Sequence, residues 1–163
     1  MALKTLILSD LHLGNGKGYD IYAGAGQLPT LLGRWAASDH RVVLAGDSVD
    51  FLMNEDELEL KVAQAVSQAE AIAAEPRTLE VLLALGHVLE AGGEVVVRLG
   101  NHDAELAVPE VQGVFRQALQ QPGPVADRLV FQSGNEPWLI AEQGARVLLT
   151  HGEQNDHWNR LDY

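Results

Sequence analysis

Four stretches of this chain deliver residues that can hold a cation. Asp10 and His12 follow Leu3 to Leu8, and Asp47 and Asp50 follow the run that opens at Val42. Asn101, His102 and Asp103 follow Val95 to Leu99, and His151 follows Arg146 to Thr150. Carboxylate, imidazole and amide oxygen without thiolate suit manganese, iron, zinc, cobalt or nickel rather than copper or an iron–sulfur cluster, and this much histidine argues against calcium. One ion needs only three or four donors. Asp10, His12, Asp47, Asn101 and His151 together exceed that number and point to two ions sharing a ligand, with Asp47 as the natural bridge. Two ions about 4 Å apart can hold a hydroxide, lower its pKa towards neutrality and clamp phosphate oxygens for attack, which is phosphoester hydrolysis. His102 is placed to protonate the leaving group, oriented by Asp50.

The elements that must position these groups are strands, because function in α/β proteins gathers at strand carboxyl ends. Leu3 to Leu8 alternates only weakly, which predicts a first strand covered on both faces. Ser9 to Gly18 follows as a loop with Gly14, Gly16 and Gly18 around Lys17; it lacks the Gly-Lys-Ser/Thr ending of a phosphate-binding loop and reads as a flexible turn lining the site. The pair Gly24 and Gly26 carries less. Leu28, Leu31, Leu32 and Trp35 have the spacing of a helix with one buried face, and Pro29 suits its first turn. The central strand begins at Val42 and runs into Asp47, and Phe51-Leu52-Met53 beyond it reads as packing rather than pocket.

Glu57 to Ala74 predicts a helix on Leu58, Val62, Ala65, Ala69 and Ile72, with Glu55, Asp56, Glu57 and Glu59 near its amino end, where the macrodipole favours them. Pro76 separates it from a helix over Leu79 to Glu90, striped by Leu79, Leu82, Leu83 and Leu89 and ended by Gly92-Gly93. His40 and His87 have no partner ligand at matching spacing and read as ordinary histidines. Glu94 to Leu99 is the third strand. Pro109 opens a helix on Val111, Val114, Phe115 and Ala118 that Pro122-Gly123-Pro124 ends. Leu129 to Phe131, Trp138 to Ala141 and Val147 to Thr150 are short strands with turns at Ser133-Gly134-Asn135 and Gln143-Gly144, which suggests a meander or second sheet.

With 163 residues, 47% of them hydrophobic, the expectation is one domain over residues 1–163. No apolar run approaches the ~20 residues of a membrane span and no leader pattern opens the chain, so the expected location is cytoplasmic. The absence of cysteine excludes disulfides and thiolate ligands. A formal charge of −12 argues against a nucleic-acid partner.

Asp10-x-His12, Gly46-Asp47-x-x-Asp50, Gly100-Asn101-His102-Asp103 and His151-Gly152 stand in the order of the calcineurin-like metallophosphoesterases, and the chain resembles that family over nearly its whole length. The resemblance implies two mixed β-sheets packed as a sandwich flanked by helices. It implies that Asp10, His12 and Asp47 bind a first metal, that Asp47, Asn101 and His151 bind a second, and that His102, held by Asp50, protonates the leaving group. The implied cofactors are two divalent ions, manganese first, with iron, zinc, cobalt or nickel as alternatives.

The family's last motif, Gly-His-x-His, has no match here. The expectation is a chain incomplete at its carboxyl end; replacement of a ligand by His157 or Asp156 and a natural short form are the alternatives, and Trp158 and Arg160 are candidates for substrate contact. Ser9-Asp10-Leu11-His12-Leu13-Gly14 resembles bacterial members that cleave pyrophosphate bonds in UDP-linked lipid precursors, and also members acting on nucleotides, cyclic nucleotides or DNA. The expected partner is a phosphorylated small molecule, nucleotide or nucleotide-linked, with pairing between copies of the chain left open. The competing readings are a non-catalytic scaffold on the same fold and a single structural metal without hydrolysis.

Overall fold

The computed structural model describes residues 3–17, 21–24, 26–53, 61–134, 136–142 and 144–157, and it is an α/β structure with two sheets. Four parallel strands, β1 (Lys4–Leu8), β2 (His40–Ala45), β3 (Glu94–Arg98) and β4 (Leu129–Gln132), lie side by side in that order. Between them run α1 (Gln27–Trp35), then α2 (Val62–Ala74) and α3 (Pro76–Glu90), then α4 (Pro109–Ala118) and the short α5 (Gly123–Ala126). An antiparallel pair follows, β5 (Trp138–Glu142) and β6 (Ala145–Leu149).

Parallel neighbours need crossovers, and right-handed crossovers in a strand order that runs one way put the helices on one face of the sheet. The core agrees: Leu6, Val42, Leu44, Val95, Val97 and Leu129 pack in one cluster with Leu32, Ile72, Leu85 and Phe115 from the helices. On the other face the register aligns Ile7, Val43, Val96 and Val130 in a row. There Val43 and Ala45 meet Ile140 and Leu149 of the antiparallel pair. The centre of the row is covered and its ends less so, since Val43 is fully buried while Ile7 is 37% and Val130 45% exposed.

Several elements differ from the sequence pattern. Each sheet is of one kind, parallel or antiparallel, rather than mixed. The segment from Leu129 is the fourth parallel strand and no part of a meander, because α4 and α5 provide the crossover that a parallel neighbour requires. β1 is an edge strand and is not covered on both faces: Leu6 and Leu8 pack partly buried against the helical cluster, whereas Ile7 on the opposite face is exposed. β2 stops at Ala45, short of Asp47, where Gly46 turns the backbone to φ 100°. Leu31 and Val62 of the expected helix stripes are exposed, and burial centres on Leu32 and on Ala65, Ala69 and Ile72. Pro76 is itself the first residue of α3, with the Glu75 carboxylate accepting from the Thr78 amide, and Pro122-Gly123-Pro124 leads into α5 rather than only ending a helix. Gly18, Glu55, Asp56, Glu57, Leu58, Glu59, Asn135, Gln143, Trp158 and Arg160 lie outside the described residues. No described helix is long and apolar enough to cross a membrane.

Candidate metal centre

The segments leaving β1, β2 and β3 are laced together by backbone hydrogen bonds. The Asp10 amide donates to the Gly46 carbonyl (3.2 Å), His12 to Asp47 (2.9 Å), Leu13 to Ser48 (3.0 Å) and Phe51 to His102 (3.0 Å). Parallel pairing thereby resumes at Leu13 and Val49, past the ends of the strands. Asp10, His12 and Asp47 sit at φ of 55°, 48° and 49°, in the left-handed region that side-chain-bearing residues seldom occupy. Strain of this kind persists where the surroundings over-determine it, and it clusters at functional sites.

Asp103 is the buried clamp of this lacework. Its Oδ1 accepts from the Gly100 amide (2.6 Å) and its Oδ2 from the Ser48 (2.8 Å) and Val49 (3.4 Å) amides, tying the end of β3 to the end of β2. Burial pushes its carboxyl up to about 7, against the pull of these N–H donors. Close approach is bought with glycine. A Cβ at Gly46 would lie 2.4 Å from the His151 ring, and one at Gly100 would lie 2.2 Å from Asp47 Oδ1 and 2.8 Å from His151 Nε2.

The strand ends open into a cleft of about 320 Å³. Asp10, His12, Asp47, Asn101 and His151 all line it, as does His102, so every metal ligand expected from the sequence is brought to one place. Asp50 stands behind the lining, 2% exposed. His151 Nε2 is 3.2 Å from Asp47 Oδ2, and its Nδ1 donates to the Ala45 carbonyl at 3.1 Å. His12 Nε2 is 3.9 Å from the same Asp47 oxygen, and the His102 amide donates to Asp47 Oδ1 at 2.9 Å. The hydrogen bond and charge of Asp47 raise His151 to about 9 against its burial. Burial pushes Asp47 up, but the bonds from His151 and the His102 amide outweigh it and hold its carboxyl below the ordinary value.

The donors fit divalent cations. Asp10, Asp47 and His151 each bring a ligand atom within 4.8 Å of the others, as do His12, Asp50 and His102. The described lining holds four carboxylates, Asp10, Asp47, Glu153 and Asp156, and no Lys or Arg.

Some residues at the site escape sequence reasoning, and some expectations move. Glu153, buried in a short 3-10 turn (Glu153–Asn155), lines the cleft. Arg98, also buried, donates to the Glu136 (2.6 Å) and Gly134 (3.4 Å) carbonyls; burial pulls its pKa down and the Glu153 charge opposes that. An arginine in a strand of valines was the available signal. Asp156 lines the cleft, whereas His157 is exposed and does not. The loop from Ser9 lines the cleft through Asp10 and His12, while its described glycines do not: Thr78 Oγ1 donates to the Gly14 carbonyl (3.0 Å), and neither Gly14 nor Gly16 borders the cleft. Of the Phe51-Leu52-Met53 run expected to pack, Phe51 is core but Leu52 is exposed.

No protein-family model matches the chain, and no curated protein sequence matches it significantly. Fold and site define an α/β protein whose strand ends gather His and Asp donors around one cleft.

Proposed function

We propose that this protein is a dinuclear metal-dependent phosphoesterase that hydrolyses a phosphomonoester, phosphodiester or pyrophosphate bond in a nucleotide or nucleotide-linked substrate. The observation that carries the reading is the convergence of Asp10, His12, Asp47, Asn101 and His151 on a single cleft that His102 shares. The fold that goes with it is a two-sheet sandwich flanked by helices, of the calcineurin-like kind that the sequence motifs resemble. Asp10, His12 and Asp47 would hold one ion and Asp47, Asn101 and His151 the other, with manganese as the first choice. When bound, two such ions activate water as a nucleophile and neutralise phosphoryl oxygens.

The chain's own residues supply the rest. Asp47 is held by the His102 amide, so its second oxygen is oriented towards His151 and His12. His151 is tied to the Ala45 carbonyl through Nδ1, which leaves Nε2 for the cleft. Doubly protonated His102, its Nδ1–H held by Asp50, donates its Nε2 proton to the leaving oxygen and is left as the neutral Nδ1–H ring.

Elemental analysis of bound metal, with manganese-supplemented hydrolysis of a generic phosphodiester and monoester, tests the reading. Two ions per chain and turnover that falls at least ~10²-fold in His102→Ala are expected. Asp47→Asn should lose both ions and activity. Metal binding without turnover would replace this reading with the non-catalytic scaffold, and a metal content unchanged in Asp47→Asn would remove the bridging role.

A further inference from the structure

His12, Asp50 and His102 form a two-histidine, one-carboxylate cluster at the back of the cleft, and the hydrogen bonds decide what it does. Asp50 Oδ2 lies 2.8 Å from His12 Nδ1, and Oδ1 lies 3.1 Å from His102 Nδ1. The carboxylate is itself immobilised: Oδ1 accepts the backbone N–H groups of Leu52 (3.1 Å) and Met53 (2.9 Å). The two rings stand edge to face, 4.8 Å apart. An ionised carboxylate only accepts, so both Nδ1 atoms carry protons and both rings turn Nε2 away from Asp50.

We infer that Asp50 is one positioning residue for two rings with different tasks, setting the tautomer of the cation ligand His12 as well as that of the proton donor His102. The His12 half rests on the metal reading above. In metal sites a carboxylate that accepts the second N–H of a ligating histidine fixes ring and tautomer, and its loss typically costs 10–100-fold in affinity.

The two oxygens are not equivalent, and this gives an asymmetric test. In Asp50→Asn the Leu52 and Met53 amides require an acceptor at the Oδ1 position, so the carbonyl stays there and the NH₂ group faces His12 Nδ1. His12 must then move its proton to Nε2 to accept from the amide, while His102 keeps its Nδ1–H bond. Long-range ¹H–¹⁵N correlation spectra of the metal-free protein, at a pH where both rings are neutral, read both tautomers directly.

The expected result is both rings as Nδ1–H in the wild type and only His12 switched in D50N, with Mn²⁺ affinity by calorimetry down about 10–100-fold. His102→Ala should leave Mn²⁺ affinity unchanged. An unaltered His12 tautomer in D50N, or both rings switching together, overturns the inference. So does a wild-type His12 that is already the Nε2–H tautomer, a result that needs no variant to fold. A wild type that binds no Mn²⁺ defeats the metal reading instead, and the tautomers still decide the role of Asp50.

Discussion

His151 Nε2 stands 3.2 Å from Asp47 Oδ2 while its Nδ1 donates to the Ala45 carbonyl, so in the metal-free protein a proton occupies the nitrogen that a cation would take. Proton and cation compete for one nitrogen. Asp47 raises His151 from 6.5 to about 9, so the ion pair stabilises the fold fully below about 6.5 and the contribution is lost as pH rises through about 9. Asp103, raised from 3.8 to about 7, has already lost its contribution by then; Asp47, held low, loses its own only in acid. The Tm of metal-free protein should fall between pH 7 and 9, and Mn²⁺ affinity should rise over the same interval. His151→Gln should flatten both slopes.

Gly100→Ala should damage the site more than the fold. The added methyl meets Asp47 Oδ1 at 2.2 Å and His151 Nε2 at 2.8 Å, and both belong to groups already held by hydrogen bonds. A stability loss of about 1–3 kcal/mol by chemical denaturation is expected from the overpacking. Bound Mn²⁺, measured by elemental analysis, should fall well below the wild-type content.

Asp103→Ala removes the acceptor of three amides, those of Gly100, Ser48 and Val49. Each buried donor left without a partner costs about 1–3 kcal/mol, so a loss of at least about 3 kcal/mol is expected in a urea titration. Asp103→Asn keeps one acceptor oxygen and should cost less. Equal losses in the two variants would show that the packing of the side chain matters and its acceptors do not.

Arg98→Ala should loosen the junction between the sheets. It leaves the Glu136 and Gly134 carbonyls without the guanidinium and removes the positive charge near Glu153. Hydrogen exchange should accelerate in β5 and β6 while β1 to β3 keep their protection, with a stability loss of about 1.5–3 kcal/mol.

The metal-binding residue types, their order and their place after apolar runs are local properties, and the sequence alone determined them: Asp10, His12, Asp47, Asn101, His102 and His151 all reach the cleft. Buried helix positions such as Leu32, Ala69, Ile72 and Phe115 were readable for the same reason, since period and turn chemistry act within a few residues. The tertiary structure alone decided what depends on distant partners. Sheet membership of Leu129–Gln132 is set by pairing with β3, and the edge position of β1 by strand order. The second bond of Asp50 comes from a histidine 38 residues away, and the clamp of Asp103 reaches amides 54 and 55 residues away. Burial of Glu153 and Arg98 belongs to the same group, because no local pattern says which charged side chain the packing will enclose.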